Sequence, residues 1–240
     1  KIAWYENNGS QGFTAHTISN TADGAYSVFA IDMDGDGDVD VLSASYNDDK
    51  IAWYENNGSQ GFTAHTITTT ADGAYSVFAI DMDGDGDVDV LSASFHDHKI
   101  AWYENDGSQG FTAHTITTGA DGAWSVFAID MDGDGDVDVL SASINDDKIA
   151  WYENDGSQGF TAHTITTTAN AAISVFAIDM DGDGDIDVLS ASFHDNTIAW
   201  YENDGSQGFT AHAITMGANG AASVFAIDMD GDGDIDVLSA

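Results

Sequence analysis

The peptide DMDGDGDVD, or DMDGDGDID, occurs five times in this chain, starting at Asp32, Asp81, Asp130, Asp179 and Asp228, always 49 residues apart. Five carboxylates within nine residues repel one another strongly unless a cation sits among them. Glycines between them let the backbone curl, so that successive Asp oxygens converge on one point. That arrangement suits a hard, oxygen-loving cation such as calcium.

The 49-residue period extends over the whole chain. The anchor KIAWYE recurs at Lys1, Lys50, Lys99 and Lys148, with Thr197 replacing Lys in the fifth copy. The chain therefore reads as one repeat domain, 1–240, of units 1–49, 50–98, 99–147, 148–196 and a truncated 197–240. Such near-identity implies recent duplication or deliberate design. A period of this length with strand-like patterning predicts an all-β propeller in which one unit forms one four-stranded antiparallel blade.

Within the first unit, apolar residues on both faces mark 25–32 (AYSVFAID) and 39–46 (VDVLSASY) as strands, and 2–6 (IAWYE) as a third. The more polar 13–18 (FTAHTI) reads as the outer strand. Strands apolar on both sides need cover on both sides, as in a blade between two neighbours. The acidic peptide becomes the hairpin between the first two strands, and NNGSQG the hairpin between the last two.

Composition narrows the functional classes. Acidic residues number 42 against 4 Lys and no Arg, a formal net charge of −38. That field repels phosphate backbones and anionic lipid, so nucleic acid and membranes are poor partners. No apolar run is long enough to span a bilayer. Five calcium ions would add ten positive charges to −38, leaving about −28. Cysteine is absent, which removes disulfides and thiol chemistry, and proline is absent too. Metal can replace disulfides as the staple of a secreted repeat protein, and weak calcium loops fill where the ion is abundant, so an extracellular location is expected. Starting on Lys rather than Met, and with no secretory signal, the chain reads as a processed product or an expressed piece.

The run SVFAIDMDGDGDVDVLSAS followed by KIAWYENNGSQGFTAHTIT resembles the VCBS-type repeat of the FG-GAP group, the calcium-binding blades also found in the propeller head of integrin α subunits. The resemblance covers every unit. The Phe-Gly and Gly-Ala-Pro elements that name the group are missing, and family propellers usually carry about seven blades where this chain supplies five. The resemblance implies that Asp32, Asp34, Asp36 and Asp40 offer side-chain oxygens to calcium and Asp38 its backbone carbonyl. The same roles carry to Asp81, Asp83, Asp85, Asp87 and Asp89; to Asp130, Asp132, Asp134, Asp136 and Asp138; to Asp179, Asp181, Asp183, Asp185 and Asp187; and to Asp228, Asp230, Asp232, Asp234 and Asp236. An EF-hand is the rival for such a loop, but it needs Glu at position 12 and flanking helices, whereas position 12 here is Ser43 in a β-rich segment. A structural role for about five Ca2+ ions follows, because nothing but more Asp stands beside the loop to act as acid, base or nucleophile.

Other recurring residues read as structural. Trp4, Trp53, Trp102, Trp151 and Trp200 are expected to pack between blades, and His16 and its equivalents to be surface or hydrogen-bonded residues. Glu6 and its equivalents are candidates for supporting acceptors near the metal hairpins. No catalytic residue is nominated, and the chain is not expected to be an enzyme.

Differences between copies concentrate in two connections. One runs through Tyr46-Asn47-Asp48-Asp49 and its counterparts. The other holds Tyr26, Tyr75, Trp124, Ile173 and Ala222 at one position. Both should emerge on the face opposite the acidic hairpins. Mixed aromatic, His and Asp loops there suit a glycan or protein ligand, giving a lectin-like or adhesion module; drift in tolerant loops would leave the same pattern. The last unit stops after its second strand and the first begins at a third, so the expected closure is a fifth blade shared by 221–240 and 2–18. Head-to-tail self-association into oligomers or fibres is the alternative, and with it a purely structural function.

Overall fold

The computed structural model describes all residues, Lys1–Ala240, and contains strands and turns but no helix. The strands are β1 (Ile2–Asn7), β2 (Phe13–Ser19), β3 (Ala25–Ile31), β4 (Asp40–Ser45), β5 (Lys50–Asn56), β6 (Phe62–Thr68), β7 (Ala74–Ile80), β8 (Asp89–Ser94), β9 (Lys99–Asn105) and β10 (Phe111–Thr117). They continue with β11 (Ala123–Ile129), β12 (Asp138–Ser143), β13 (Lys148–Asn154), β14 (Phe160–Thr166), β15 (Ala172–Ile178), β16 (Asp187–Ser192), β17 (Thr197–Asn203), β18 (Phe209–Thr215), β19 (Val224–Ile227) and β20 (Asp236–Ser239).

Four complete antiparallel blades form from consecutive strands: β3 to β6, β7 to β10, β11 to β14 and β15 to β18. The two-residue side-chain period fixes their register. Leu42 lies opposite Trp53, and Trp53 opposite His65, with the same pairs one period on in the next blades. Each innermost strand carries a bulge: Ala25 pairs with Ser45 and Ser27 with Ala44, leaving Tyr26 as the extra residue. Tyr75, Trp124 and Ile173 occupy the same bulged position. A bulge re-aims the inserted side chain, which singles out the position where the copies differ.

Blades stack through apolar faces. Met33, Leu42, Ala44, Ile51 and Trp53 of the first complete blade pack on Ala71, Ala74, Val77, Ala79, Val90, Ala101 and Tyr103 of the second, and all twelve are buried. The next two interfaces repeat this set one period on. Near the axis, Phe29, Phe78, Phe127, Phe176 and Phe225 form a row with neighbouring centroids 4.8, 4.9, 5.0 and 4.8 Å apart. Val77 N donates to Ser27 Oγ of the preceding blade at 3.3 Å, and Val126, Val175 and Val224 repeat the bond.

The shared fifth blade does not close in this structure. β1–β2 and β19–β20 remain separate two-stranded sheets, with no pairing between β1 and β20. The even spacing along the Phe row makes each blade-to-blade step alike, and the steps present leave the ends apart. The molecule is an open arc of four blades with a half-blade at each end.

Candidate metal centres

Each acidic hairpin joins the innermost strand of a blade to its neighbour. Gly35 (φ 74°) and Gly37 (φ 93°) occupy the left-handed region, which non-Gly residues enter at a cost. These turns let the backbone fold over Asp32, whose two oxygens accept from Gly35 N at 2.9 Å and Gly37 N at 3.0 Å. Asp34 Oδ1 accepts from Asp36 N at 3.2 Å and Asp36 Oδ1 from Asp38 N at 2.8 Å. Asp40 is fully buried. Its Oδ2 accepts from Met33 N at 3.0 Å and its Oδ1 from Asn56 N at 2.7 Å, tying the hairpin to the end of β5.

Carboxylate oxygens of three residues fall within 4.8 Å of one another in every copy. The groups are Asp32, Asp34 and Asp36; Asp81, Asp83 and Asp85; Asp130, Asp132 and Asp138; Asp179, Asp181 and Asp187; and Asp228, Asp230 and Asp236. Positions 1 and 3 thus converge everywhere, joined by position 5 or position 9. Position 7 does not join them: the Asp38 carboxylate lies over the neighbouring hairpin, where a Cβ on Gly58 would collide with it. Asp87, Asp136 and Asp185 make the same approach to Gly107, Gly156 and Gly205. This placement holds the position-7 carboxylate away from the converging oxygens of its own hairpin.

The electrostatics call for positive charge. Burial pushes the Asp89 carboxyl up to about 6 and that of Asp138 up to about 7, against backbone hydrogen bonds that pull down. The Trp102 indole N–H, which approaches Asp89 without good hydrogen-bond geometry, pulls the same way as those bonds. Asp83 and Asp132 are also raised, first by burial and then by neighbouring carboxylates that include Glu104 and Glu153. No lysine answers them: Lys50, Lys99 and Lys148 pair with Asp48, Asp97 and Asp146 at 2.7–3.0 Å, at the far end of the blades. A set of all-oxygen donors on a glycine-hinged loop fits Ca2+ and not a soft metal.

The glutamates near the metal hairpins take a different first partner from the one expected, while the histidines are hydrogen-bonded as expected. Glu55, Glu104, Glu153 and Glu202 each take the Nε2 of a histidine (His65, His114, His163, His212) at 2.7 Å, with Glu6 and His16 at 3.0 Å. Their first partner is therefore the outer strand. Each histidine also lies over the indole of the Trp opposite, at 4.4–4.8 Å between centroids. Trp53, Trp102 and Trp151 are buried between blades as expected. The residue that sequence reasoning missed is Asn56. Its Nδ2 donates to Val39 O at 3.0 Å, its backbone N holds Asp40, and its Oδ1 receives Gly58 N at 3.2 Å. The signal was available: this Asn is identical in every copy, whereas the next residue changes between Asn and Asp.

On the opposite face, Tyr26 meets Tyr75 edge-on at 4.5 Å, and Tyr75 stacks on Trp124 at 3.9 Å. Tyr46 Oη and His96 Nε2 share a hydrogen bond of 2.8 Å, and Asn47 Nδ2 donates to Asp23 at 3.1 Å. Burial, with Tyr26 and Tyr46 alongside, pushes the Tyr75 phenol up to about 12, so it stays a neutral donor. The cluster fades where the bulged position becomes Ile173 and then Ala222.

Four-stranded antiparallel blades stacked about an axis, each with an acidic hairpin on one face, define the β-propeller class of repeat protein. The FG-GAP-like repeat model matches residues 1–43, 32–92, 81–141, 130–190 and 179–239, and the chain belongs to that family. Among solved structures, it is similar to a functionally unknown protein from Desulfotomaculum acetoxidans DSM 771, at TM-score 0.62 and 14% identity over 94% of this chain and 68% of that one. A candidate 6-phosphogluconolactonase from Bacteroides fragilis NCTC 9343 superposes at TM-score 0.57 with 15% identity, covering 89% of this chain. The chain spans only 57% of the length of that protein. At such identities the likeness concerns the fold alone. No curated protein matches the chain.

Proposed function

We propose that the chain is a calcium-stabilised extracellular scaffold, not an enzyme, that presents a glycan- or protein-binding face opposite its metal hairpins. One observation carries the calcium reading. In all five hairpins three carboxylates converge within 4.8 Å with no basic side chain among them. A cation relieves that repulsion and the burial penalty on Asp89 and Asp138 together. The ligand reading is supported by the bulged aromatic position and the Asp, Asn and His residues around it, a mixture that recognises sugars and peptides by stacking and hydrogen bonding.

Isothermal titration with calcium tests the first part. Extracellular modules bind in the range of roughly 0.1–1 mM, and chelation should lower the melting temperature. A melting curve indifferent to both calcium and chelator would end the reading. For the second part, a glycan array probed with the native protein and with Tyr75→Ala should show signals that the variant loses. Signals retained by that variant would place the ligand elsewhere.

A further inference from the structure

We propose that His98 is a proton-operated catch between the second and third complete blades: on taking up a proton it releases the segment that carries Trp124, which makes the aromatic face sensitive to pH. The consequence for a ligand rests on the reading of that face given above; the catch itself does not. At each blade boundary, the last residue of the connection between a blade's second and third strands accepts a backbone N–H of the next blade. Asp49 Oδ1 accepts from Gly73 N at 2.9 Å, Asp147 Oδ1 from Ala171 N at 2.8 Å and Asn196 Oδ1 from Gly220 N at 2.9 Å. At one boundary the acceptor is a histidine: His98 Nδ1 accepts from Gly122 N at 2.9 Å. All four acceptor residues hold the same left-handed backbone, with φ between 53° and 59°.

A ring nitrogen accepts only through a free lone pair, so this bond needs a neutral imidazole with its proton on Nε2. The Asp121 carboxylate stands at the same nitrogen, with Oδ1 3.1 Å from Nδ1, and Asn145 Nδ2 holds that oxygen in place at 3.0 Å. Unprotonated, Nδ1 meets Asp121 lone pair to lone pair. A proton on Nδ1 turns this contact into an ion pair and leaves the Gly122 N–H facing another N–H. One nitrogen cannot serve both neighbours in one protonation state. Histidine is the side chain whose ordinary titration falls between about pH 5 and 8, and this ring is half-exposed to solvent. Other ionisable groups on the segments around it are engaged elsewhere. Asp97 pairs with Lys99 at 2.7 Å; Lys148 pairs with Asp146 at 2.7 Å and donates to Gly119 O at 2.8 Å. His96 bonds Tyr46 Oη, Asp147 holds Ala171 N, and Asp72 meets this connection through its backbone carbonyl, which accepts from His96 N at 3.1 Å.

Gly122 N is the root of the segment that aims Trp124. Ala123 is fully buried and pairs with Ser143, and Trp124 is the bulged residue that follows. The connection bearing His98 touches this segment twice more: His98 O accepts from Ala120 N at 3.2 Å, and Phe95 meets Trp124 edge-on at 6.0 Å. Trp124 in turn stacks on Tyr75. The segment ahead of Tyr75 is held at Gly73 by the Asp49 carboxylate, a group that ordinarily stays ionised down to about pH 4. Proton uptake at His98 therefore frees the support of one ring of the stack and leaves the support of the other in place.

Nuclear magnetic resonance of the intact chain at about pH 8 and about pH 5.5 reads the catch directly. From the higher pH to the lower, protection of the Gly122 amide against hydrogen exchange should fall roughly tenfold relative to the amides of Gly73 and Ala171, the loss of one hydrogen bond. Asp89 and Asp138 take up protons in the same range at the other face, and the Gly73 and Ala171 amides are the controls for them within the same molecule. His98→Asn installs the acceptor that Asn196 already provides at its own boundary. In that variant the three amides should keep their ratio at both pH values, and the shift of the Trp124 indole resonance with pH seen in the unmodified chain should be lost. Gly122 and Gly73 amides that stay equally protected in the unmodified chain would overturn the catch. A Gly122 amide that responds while the Trp124 indole resonance stays still would overturn its hold on the aromatic face. A glycan array without Tyr75-dependent signals would remove the ligand reading and leave both resonances behaving as stated.

Discussion

Asp138 uses its two oxygens to accept from Met131 N at 2.9 Å and Asn154 N at 2.8 Å while its neighbours Asp130 and Asp132 converge on it. Asn at this position can accept only one of those bonds and turns an amide N–H toward the other donor. Asp138→Asn should therefore destabilise the calcium-loaded protein by roughly 1–3 kcal/mol, the cost of a buried unsatisfied group. In chelator the loss should shrink, because the substitution also removes a buried charge. Equal drops in the two melting curves would mean that the carboxylate has no part in metal binding. The same residues set a pH dependence. Asp89 and Asp138 are raised to about 6 and 7 in the fold, above the ordinary value of 3.8 for an unfolded chain. The fold then binds protons more tightly than the unfolded state. The stability these groups give is complete below 3.8 and is lost as pH rises through about 6 to 7. Chelated protein should accordingly melt higher at about pH 5 than at about pH 8. In calcium, protons compete with the ion, and the order should reverse. Thermal melts across that range with and without chelator check both signs.

Hairpins show most clearly which features the sequence made legible. The spacing of Asp and Gly identified the acidic turn, its place between the first two strands of a blade, and the converging positions 1 and 3. Strand limits differ from the reading by a residue at most at each end. What the sequence hid are contacts made across hairpins. Asn56 bridging to Val39 and Asp40, and Asp38 lying over Gly58, depend on how two loops 16 to 20 positions apart meet in space, and no periodicity encodes that. The open arc was hidden for a related reason: it depends on the angle of each blade-to-blade step, which packing decides. The cross-hairpin contact gives a test. Gly35 (φ 74°) and Gly58 (φ 66°) both hold left-handed backbone, but only Gly58 has a neighbour where a Cβ would sit. Gly35→Ala should cost about 1–2 kcal/mol from conformation alone. Gly58→Ala should cost more, through its clash with the Asp38 carboxylate, and Gly58→Ala combined with Asp38→Ala should recover the excess. Chemical denaturation of the three variants measures the difference, and equal costs for the two single variants would remove the contact from the account.

At the scale of the molecule, each blade touches only its neighbours, so stability is close to a sum of blade terms and interface terms. The second and third complete blades have two complete interfaces, the first and fourth have one complete and one incomplete, and each half-blade has one incomplete one. On the proposed calcium reading, an ion would add to every blade about equally, because each of the five hairpins gathers three carboxylates. At a hundredfold excess over its dissociation constant, one ion stabilises by about 2.7 kcal/mol, which raises the whole profile without changing its shape. The profile should therefore be a dome. Backbone amides of β8 and β12, whose residues are all buried, should exchange slowest, while those of β20, largely exposed, should exchange fastest. Removing calcium should lower the dome uniformly. Hydrogen exchange read by mass spectrometry with and without chelator checks both the dome and its uniform drop. A flat profile would show that the arc opens as one unit and that nearest-neighbour interfaces do not set its stability.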